Sequence, residues 1–155
     1  MIRPASTADV PRIAAIWNRV IRESSAIFAS EERSEDEIAR LVQEDFWVWD
    51  EDGEVLGFDR FFPFRAGDGY RHTVEHTIIL APQAQGRGIG RRLVEHVAAA
   101  ARAKGKHSLW AAVAGENTAG LAFHAACGFR EYGRLPEVGR KFDRWHDVVL
   151  MGRFL

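Results

Sequence analysis

The chain has 155 residues, 46% hydrophobic and 28% charged, the size and composition of one globular domain with a real core. Lys and Arg number 21 against 22 Asp and Glu, a net charge of -1, so no global field recruits nucleic acid or an anionic membrane. The single cysteine, Cys127, excludes an intrachain disulfide, and no apolar run reaches membrane-spanning length. With no signal-peptide core at its start, the chain is expected to be a cytoplasmic single domain over residues 1–155, with neither a membrane nor a nucleic-acid partner.

Met1 to Arg3 is a short apolar start that suits a strand. Ser6 or Thr7 caps a helix in which Val10, Ile13, Ile16, Trp17, Val20 and Ile21 recur at helical spacing. A polar loop around Ser24 to Ser34 precedes a short acidic helix near Ser34 to Gln43. Phe46 to Trp49 and Val55 to Phe62 read as a hairpin about the turn Asp50-Glu-Asp-Gly53. Trp47 and Trp49 alternate onto one buried strand face, with no basic stripe that would suit single-stranded nucleic acid. Arg71 to Leu80, rich in β-branched residues, is a long strand. A helix is predicted from about Gly90 to Ala103, and a strand from Leu109 to Val113. A further helix from Thr118 to Cys127 is closed by Gly128, and final strands cover Phe129 to Arg134 and Trp145 to Arg153. Mixed strands and helices, with a helical pair before a hairpin, predict an α/β (α+β) sheet domain.

Between the long strand and the Gly90 helix lies Gln83-Ala-Gln-Gly-Arg-Gly-Ile-Gly-Arg-Arg92. Glycine costs backbone entropy, so Gly86, Gly88 and Gly90 at alternate positions call for a reason. The free N–H groups and dipole of a helix start suit an anion such as phosphate, and glycine lets the backbone approach it. Arg87, Arg91 and Arg92 add positive charge. A Walker A loop needs Lys-Ser or Lys-Thr where Arg91 and Arg92 stand, and the dinucleotide fingerprint needs a different glycine spacing. A plain strand-to-helix turn remains the alternative.

His72-Thr-Val-Glu-His76 matches the H-x-x-E-H pattern of a zinc protease, whose chemistry needs a helix. On a strand, residues four apart lie roughly 13 Å apart. A zinc–nitrogen bond is only about 2 Å long, so the two histidines cannot share a metal and no metal is expected.

Gln85-Gly-Arg-Gly88-Ile-Gly90 resembles the Q/R-x-x-G-x-G/A loop of the GNAT superfamily of N-acetyltransferases. Tyr70-Arg-His-Thr-Val-Glu-His76, Glu116-Asn-Thr-Ala-Gly-Leu-Ala-Phe-His124, Gly128-Phe129 and Val138 to Val148 are similar, in the same order, to the phosphinothricin and methionine sulfoximine N-acetyltransferase branch. The resemblance implies a mixed, mostly antiparallel sheet flanked by helices, with the cofactor turn between the fourth strand and third helix. It implies acetyl-CoA as co-substrate, its diphosphate on Gln85, Gly86, Arg87, Gly88, Ile89, Gly90 and Arg91. Its pantetheine arm would lie along Ile78, Ile79 and Leu80 and beside Asn117. Branch members tend to form homodimers, and the expected partner is a small amino acid-like amine.

Attack by an amine on a thioester needs a free lone pair, so a carboxylate must take the ammonium proton. Strand alternation puts Arg71, Thr73, Glu75 and Thr77 on one face. Glu75 aligns with the branch's acidic general base; otherwise it is a solvated carboxylate or a partner of Arg71. His124 stands where the superfamily carries a tyrosine thought to protonate the departing thiolate; otherwise it is a satisfied structural histidine. Gly120 replaces a serine common in the family. An acidic amino acid analogue calls for arginine, and Arg65, Arg71 or Arg60 is expected to supply it, with Phe28, Phe64 and Thr73 walling the pocket. The branch often has Arg-Pro-Phe where Phe62-Pro63-Phe64 stands here, so the arginine has either moved or gone. Transfer to a peptide N-terminus or a polyamine, and a non-catalytic coenzyme A- or nucleotide-binding module, are the alternatives.

Overall fold

The computed structural model describes residues 1–155. Its elements are β1 (Ile2–Pro4), α1 (Val10–Glu23), α2 (Glu35–Leu41), β2 (Phe46–Glu51), β3 (Glu54–Pro63), β4 (Thr73–Leu80), α3 (Ile89–Ala103), β5 (Ser108–Ala114), α4 (Thr118–Ala126), β6 (Arg130–Lys141) and β7 (Arg144–Phe154). One seven-stranded sheet runs β1-β2-β3-β4-β5-β7-β6, and only β4 and β5 are parallel. No helix is long and apolar enough to cross a membrane.

The apolar stripe of α1 and Ile38 of α2 pack with Phe46, Val48, Phe58 and Ile79 on one sheet face. On the other, Val94, Val97 and Ala101 of α3 meet Phe61, Val74, Leu109 and Val149, while Trp49, Leu56 and Leu93 form a smaller cluster beside Ile89. Strands covered on both sides explain the near-continuous apolar reading of β3. Within it, Asp59 and Arg60 are the buried charged exceptions.

The sheet is open at its centre. β4 pairs with β3 along its whole length, from Val74 opposite Pro63 to Leu80 opposite Gly57. Its pairing with β5 stops after Thr73–Ser108, Val74–Leu109 and Glu75–Trp110. Beyond Glu75 the two strands splay. The Ala81 N–H donates to Leu56 O and the Phe64 N–H to Thr73 O, so odd-numbered β4 positions bond to β3. By alternation the peptide groups of Ile78 and Leu80 face the gap.

Three sequence expectations shift at element ends. The first helix begins as a 3-10 turn over Thr7–Asp9, because Asp9 takes hydrogen bonds from the Ser6 N–H and hydroxyl and pairs with Arg3. Arg71 lies outside β4, in a turn whose guanidinium donates to Asp68 O. β6 runs on past Arg134 to Lys141, interrupted by an irregularity between Leu135 and Gly139.

Candidate active site

The splay opens a cavity of about 760 Å³. The second half of β4, from Glu75 to Leu80, lines one side and Ala111 to Val113 of β5 the other. Asn117 and His124 of α4 line its α4 side. Arg12, Arg19 and Arg22 of α1, with Ser24, Ala26 and Ile27 of the following loop, line its α1 side. Gln83 and Gln85 mark the end nearest the glycine turn.

Glu75 is half-buried and has neither a hydrogen-bond donor nor an ion-pair partner among the side chains. Burial pushes its carboxyl above the ordinary glutamate range, and the neighbouring His76 ring offsets part of that rise. An unpaired carboxylate with a raised pKa is a proton acceptor kept in reserve.

The glycine turn leads from β4 into α3. Gly86 and Gly88 hold φ of +73° and +77°, left-handed values that a side chain would strain. Nothing lies within 4 Å of a Cβ placed on either, so the backbone is open to an approaching group. Gly90, in the first turn of α3, is buried. Ile89 is buried against Trp49 and Leu93, which leaves only its peptide group for a ligand. Arg87 makes two bonds of 2.8 and 2.9 Å to Glu51, Arg92 stacks over Trp49, and Arg91 is exposed. Asn117 caps α4 by accepting from the Gly120 N–H at 3.0 Å. A Cβ on Gly120 would come within 2.5 Å of that amide, so glycine there leaves the cap its space.

His124 is buried, with both ring nitrogens engaged. Nδ1 lies 2.8 Å from Gly120 O and Nε2 lies 3.0 Å from Nε2 of His76. Burial, then the nearby His76, push its pKa down to about 4, against the pull of the Gly120 carbonyl. His76 Nδ1 in turn lies 2.9 Å from Asp59 Oδ1, with both side chains fully buried. Sequence reasoning missed this chain. A lone Asp in the apolar run Val55-Leu-Gly-Phe-Asp-Arg-Phe-Phe62 was the available signal, since a buried carboxyl needs a partner.

Glu75, Ile78, Ile79, Leu80, Gln85, Asn117 and His124 thus come together around one cavity. Phe28, Phe64, Arg65, Arg71 and Thr73 are not among its lining residues. Phe64 packs on Trp110, Arg65 lies over Tyr70, and Thr73 pairs with Ser108 where β4 and β5 are still zipped. The cavity opens at the other end of β4, away from the loop carrying Arg65 and Arg71. Arg60 is turned onto Glu44 and the Phe62 ring. The cations lining the cavity come instead from α1, each with a carboxylate partner: Arg12 with Glu54, Arg19 with Glu23 and Arg22 with Glu32. Phe28 stacks on His146 at 5.3 Å and covers Gly139. The adjacent loop is held by Lys141, whose ammonium donates to Ser24 O at 2.6 Å and Ile27 O at 2.7 Å.

This architecture has clear relatives. The L-amino acid N-acyltransferase MnaT of Escherichia coli (strain K12) is 36% identical over 156 residues, covering 97% of this chain and 91% of that protein. The L-methionine sulfoximine/L-methionine sulfone acetyltransferase of Salmonella typhimurium is 35% identical over 156 residues, with the same coverage. A phosphinothricin acetyltransferase from Sinorhizobium meliloti, solved in complex with acetyl-CoA, superposes with a TM-score of 0.94 at 31% identity, over 100% of this chain and 88% of that one. The pattern of the acetyltransferase (GNAT) family matches residues 13–129, and the chain belongs to that family.

Proposed function

We propose that residues 1–155 act as one N-acetyltransferase domain that moves the acetyl group of acetyl-CoA to the primary amine of a small amino acid-like substrate. The observation that carries this reading is the unpaired Glu75 carboxylate inside the cleft, beside the free edge of β4. Acetyl-CoA fits the site by chemistry: an open, left-handed glycine turn at a helix start for the diphosphate, and free peptide groups at Ile78 and Leu80 for the amide-bearing arm. Bound there, it supplies an activated acyl carbon. Glu75 takes the ammonium proton, directly or through one water, and frees the lone pair for attack. The Ile78 N–H faces the gap as a donor for the thioester carbonyl oxygen as it gains charge. His124 serves the departing thiolate. Holding two reactants in one cleft supplies much of the rate.

The named relatives support an amino acid, methionine sulfoximine, methionine sulfone or phosphinothricin as acceptor. Arg19 suits the acidic group of such a molecule, because its present partner Glu23 is an exposed neighbour one helical turn away and easily exchanged. We further propose that the protein is cytoplasmic and pairs with a second copy through the β6–β7 arm. Tyr132, Leu135, Val138, Phe142 and Trp145 are all exposed there.

The test is thiol release from acetyl-CoA across phosphinothricin, methionine sulfoximine, methionine sulfone, common amino acids, spermidine and short peptides. Release with the first four classes is expected. Release with spermidine or peptides alone would overturn the substrate. Silence with coenzyme A still bound would overturn the catalytic reading.

A further inference from the structure

The buried chain Asp59–His76–His124 goes beyond the residues that the acetyl-transfer reading needs. Its hydrogen positions follow from its acceptors. Gly120 O can only accept, so His124 Nδ1 carries a proton. In its resting form His124 is neutral, so its Nε2 is a lone pair, and the 3.0 Å contact to His76 requires His76 Nε2–H to donate. One further proton then lies between His76 Nδ1 and Asp59 Oδ1, 2.9 Å apart. Whichever of the two carries it, the pair is neutral overall. Removing it would strand a negative charge at a fully buried carboxyl whose Oδ2 already lacks any partner.

The chain also has a direction. His76 and His124 both line the cavity, but the Asp59 and His76 side chains are sealed at 0% exposure, and His124, at 8%, is the most exposed member of the chain. The His124 end is therefore the one from which a proton leaves.

We propose that Asp59 and His76 are positioning residues that, with His124, form a one-proton relay delivering to the coenzyme A thiolate as it departs. Each proton moves one place. The Asp59 proton passes to His76 Nδ1, the His76 Nε2 proton to His124 Nε2, and the His124 Nδ1 proton leaves Gly120 O for the sulfur. The C–N bond forms and the C–S bond breaks; the sulfur keeps the bonding pair and is protonated. The relay is left with its negative charge on Asp59, which accepts from His76 Nδ1–H; the His76–His124 bond is reversed, and the bond to Gly120 O is lost until Nδ1 is refilled. It is refilled at Nδ1 with the proton that Glu75 took from the amine, or with one from water. No oxidant or further reactant is needed.

The relay rests on His124 serving the thiolate, and it is tested in two ways that separate it from the choice of amine. The first is nitrogen-15 spectroscopy of the histidine rings in the free protein. The expected result is His124 as the Nδ1–H form with protonated Nε2 on His76. A His124 carrying Nε2–H at rest would overturn the relay. The second is Asp59→Asn, whose amide N–H can still donate to His76 Nδ1 but has no proton to pass on. With any amine that is turned over, kcat is expected to fall at least tenfold, with both KM values within threefold and the melting temperature unchanged. A kcat within twofold of the native enzyme would overturn the proposal. If no amine in the panel reacts, or if Asp59→Asn loses its fold, the ring spectra of the native protein decide.

Discussion

In the proposed mechanism Glu75 is the base, and its isolation is what would make it useful. A carboxylate paired with arginine would hold its proton affinity low; Glu75 has no such partner, and burial raises it. Glu75→Gln keeps the shape and removes the base, so kcat is expected to fall by about 10² to 10⁴-fold while acetyl-CoA affinity, read by calorimetry, stays within about threefold. The sign of the pH dependence follows from the same burial. The base works only when ionised, so activity of the native enzyme is lost as pH falls through a pKa above the ordinary glutamate value. A kcat profile whose acid limb lay at or below that value would contradict the assignment. Glu75 was legible in the sequence because alternation along a β-branched run put it on the face opposite buried Val74 and His76. Asp59 was not, because its partner His76 stands 17 positions away on the neighbouring strand and the next link, His124, comes from α4, 48 positions beyond His76.

At the level of elements, the β4–turn–α3 unit was readable because each part has a local signature: a β-branched run, glycines needing positive φ, then an apolar helical face. Gly88→Ala tests the turn. Nothing crowds a new methyl, so the cost is the left-handed backbone alone, about 1–2 kcal/mol. We expect a rise of several-fold in the KM for acetyl-CoA with that for the amine nearly unchanged. The β6–β7 hairpin was less legible. Pro136 and Glu137, the latter at a φ of +50°, break the alternation that marks a strand, so the extension from Leu135 to Lys141 went unread. That extension matters, because Lys141 reaches back to the loop beside the cavity. Lys141→Met removes two charge-assisted hydrogen bonds and leaves Ser24 O and Ile27 O short of donors, at a cost of about 1–3 kcal/mol. Thermal melts should show a drop of several degrees, and the KM for the amine should rise more than that for acetyl-CoA.

For the whole molecule, composition and periodicity sufficed to foresee an α/β sheet domain; the glycines pointed to a turn open to an anion, and its assignment to coenzyme A came from the family resemblance. The position of the cavity was not legible, because no local pattern announces where two parallel strands part. Arg65 and Arg71 looked well placed in one dimension; three dimensions put them at the zipped root of β4 and put the α1 arginines on the cavity. The same scale governs assembly. A row of exposed apolar side chains on β6 and β7 is more than a lone soluble chain usually presents. Val138→Glu is expected to shift the native protein from dimer to monomer by sedimentation, and a native chain that sediments as a monomer at micromolar concentration would refute the pairing.

The parted strands have one more consequence. Besides the α3 core that spans them, the two blocks of the sheet, β1 to β4 and β5 to β7, are fastened at both ends of the gap. At the root there are three register pairs, and across the mouth the loop after α1 is pinned by Lys141, by Phe28 on His146 and by Ser25 on Glu116. A fork tied at both ends is braced against swinging like a jaw. Its width is set by these contacts before any reactant arrives, and turnover is expected to proceed without a closing lid, reactants and products threading along the slot.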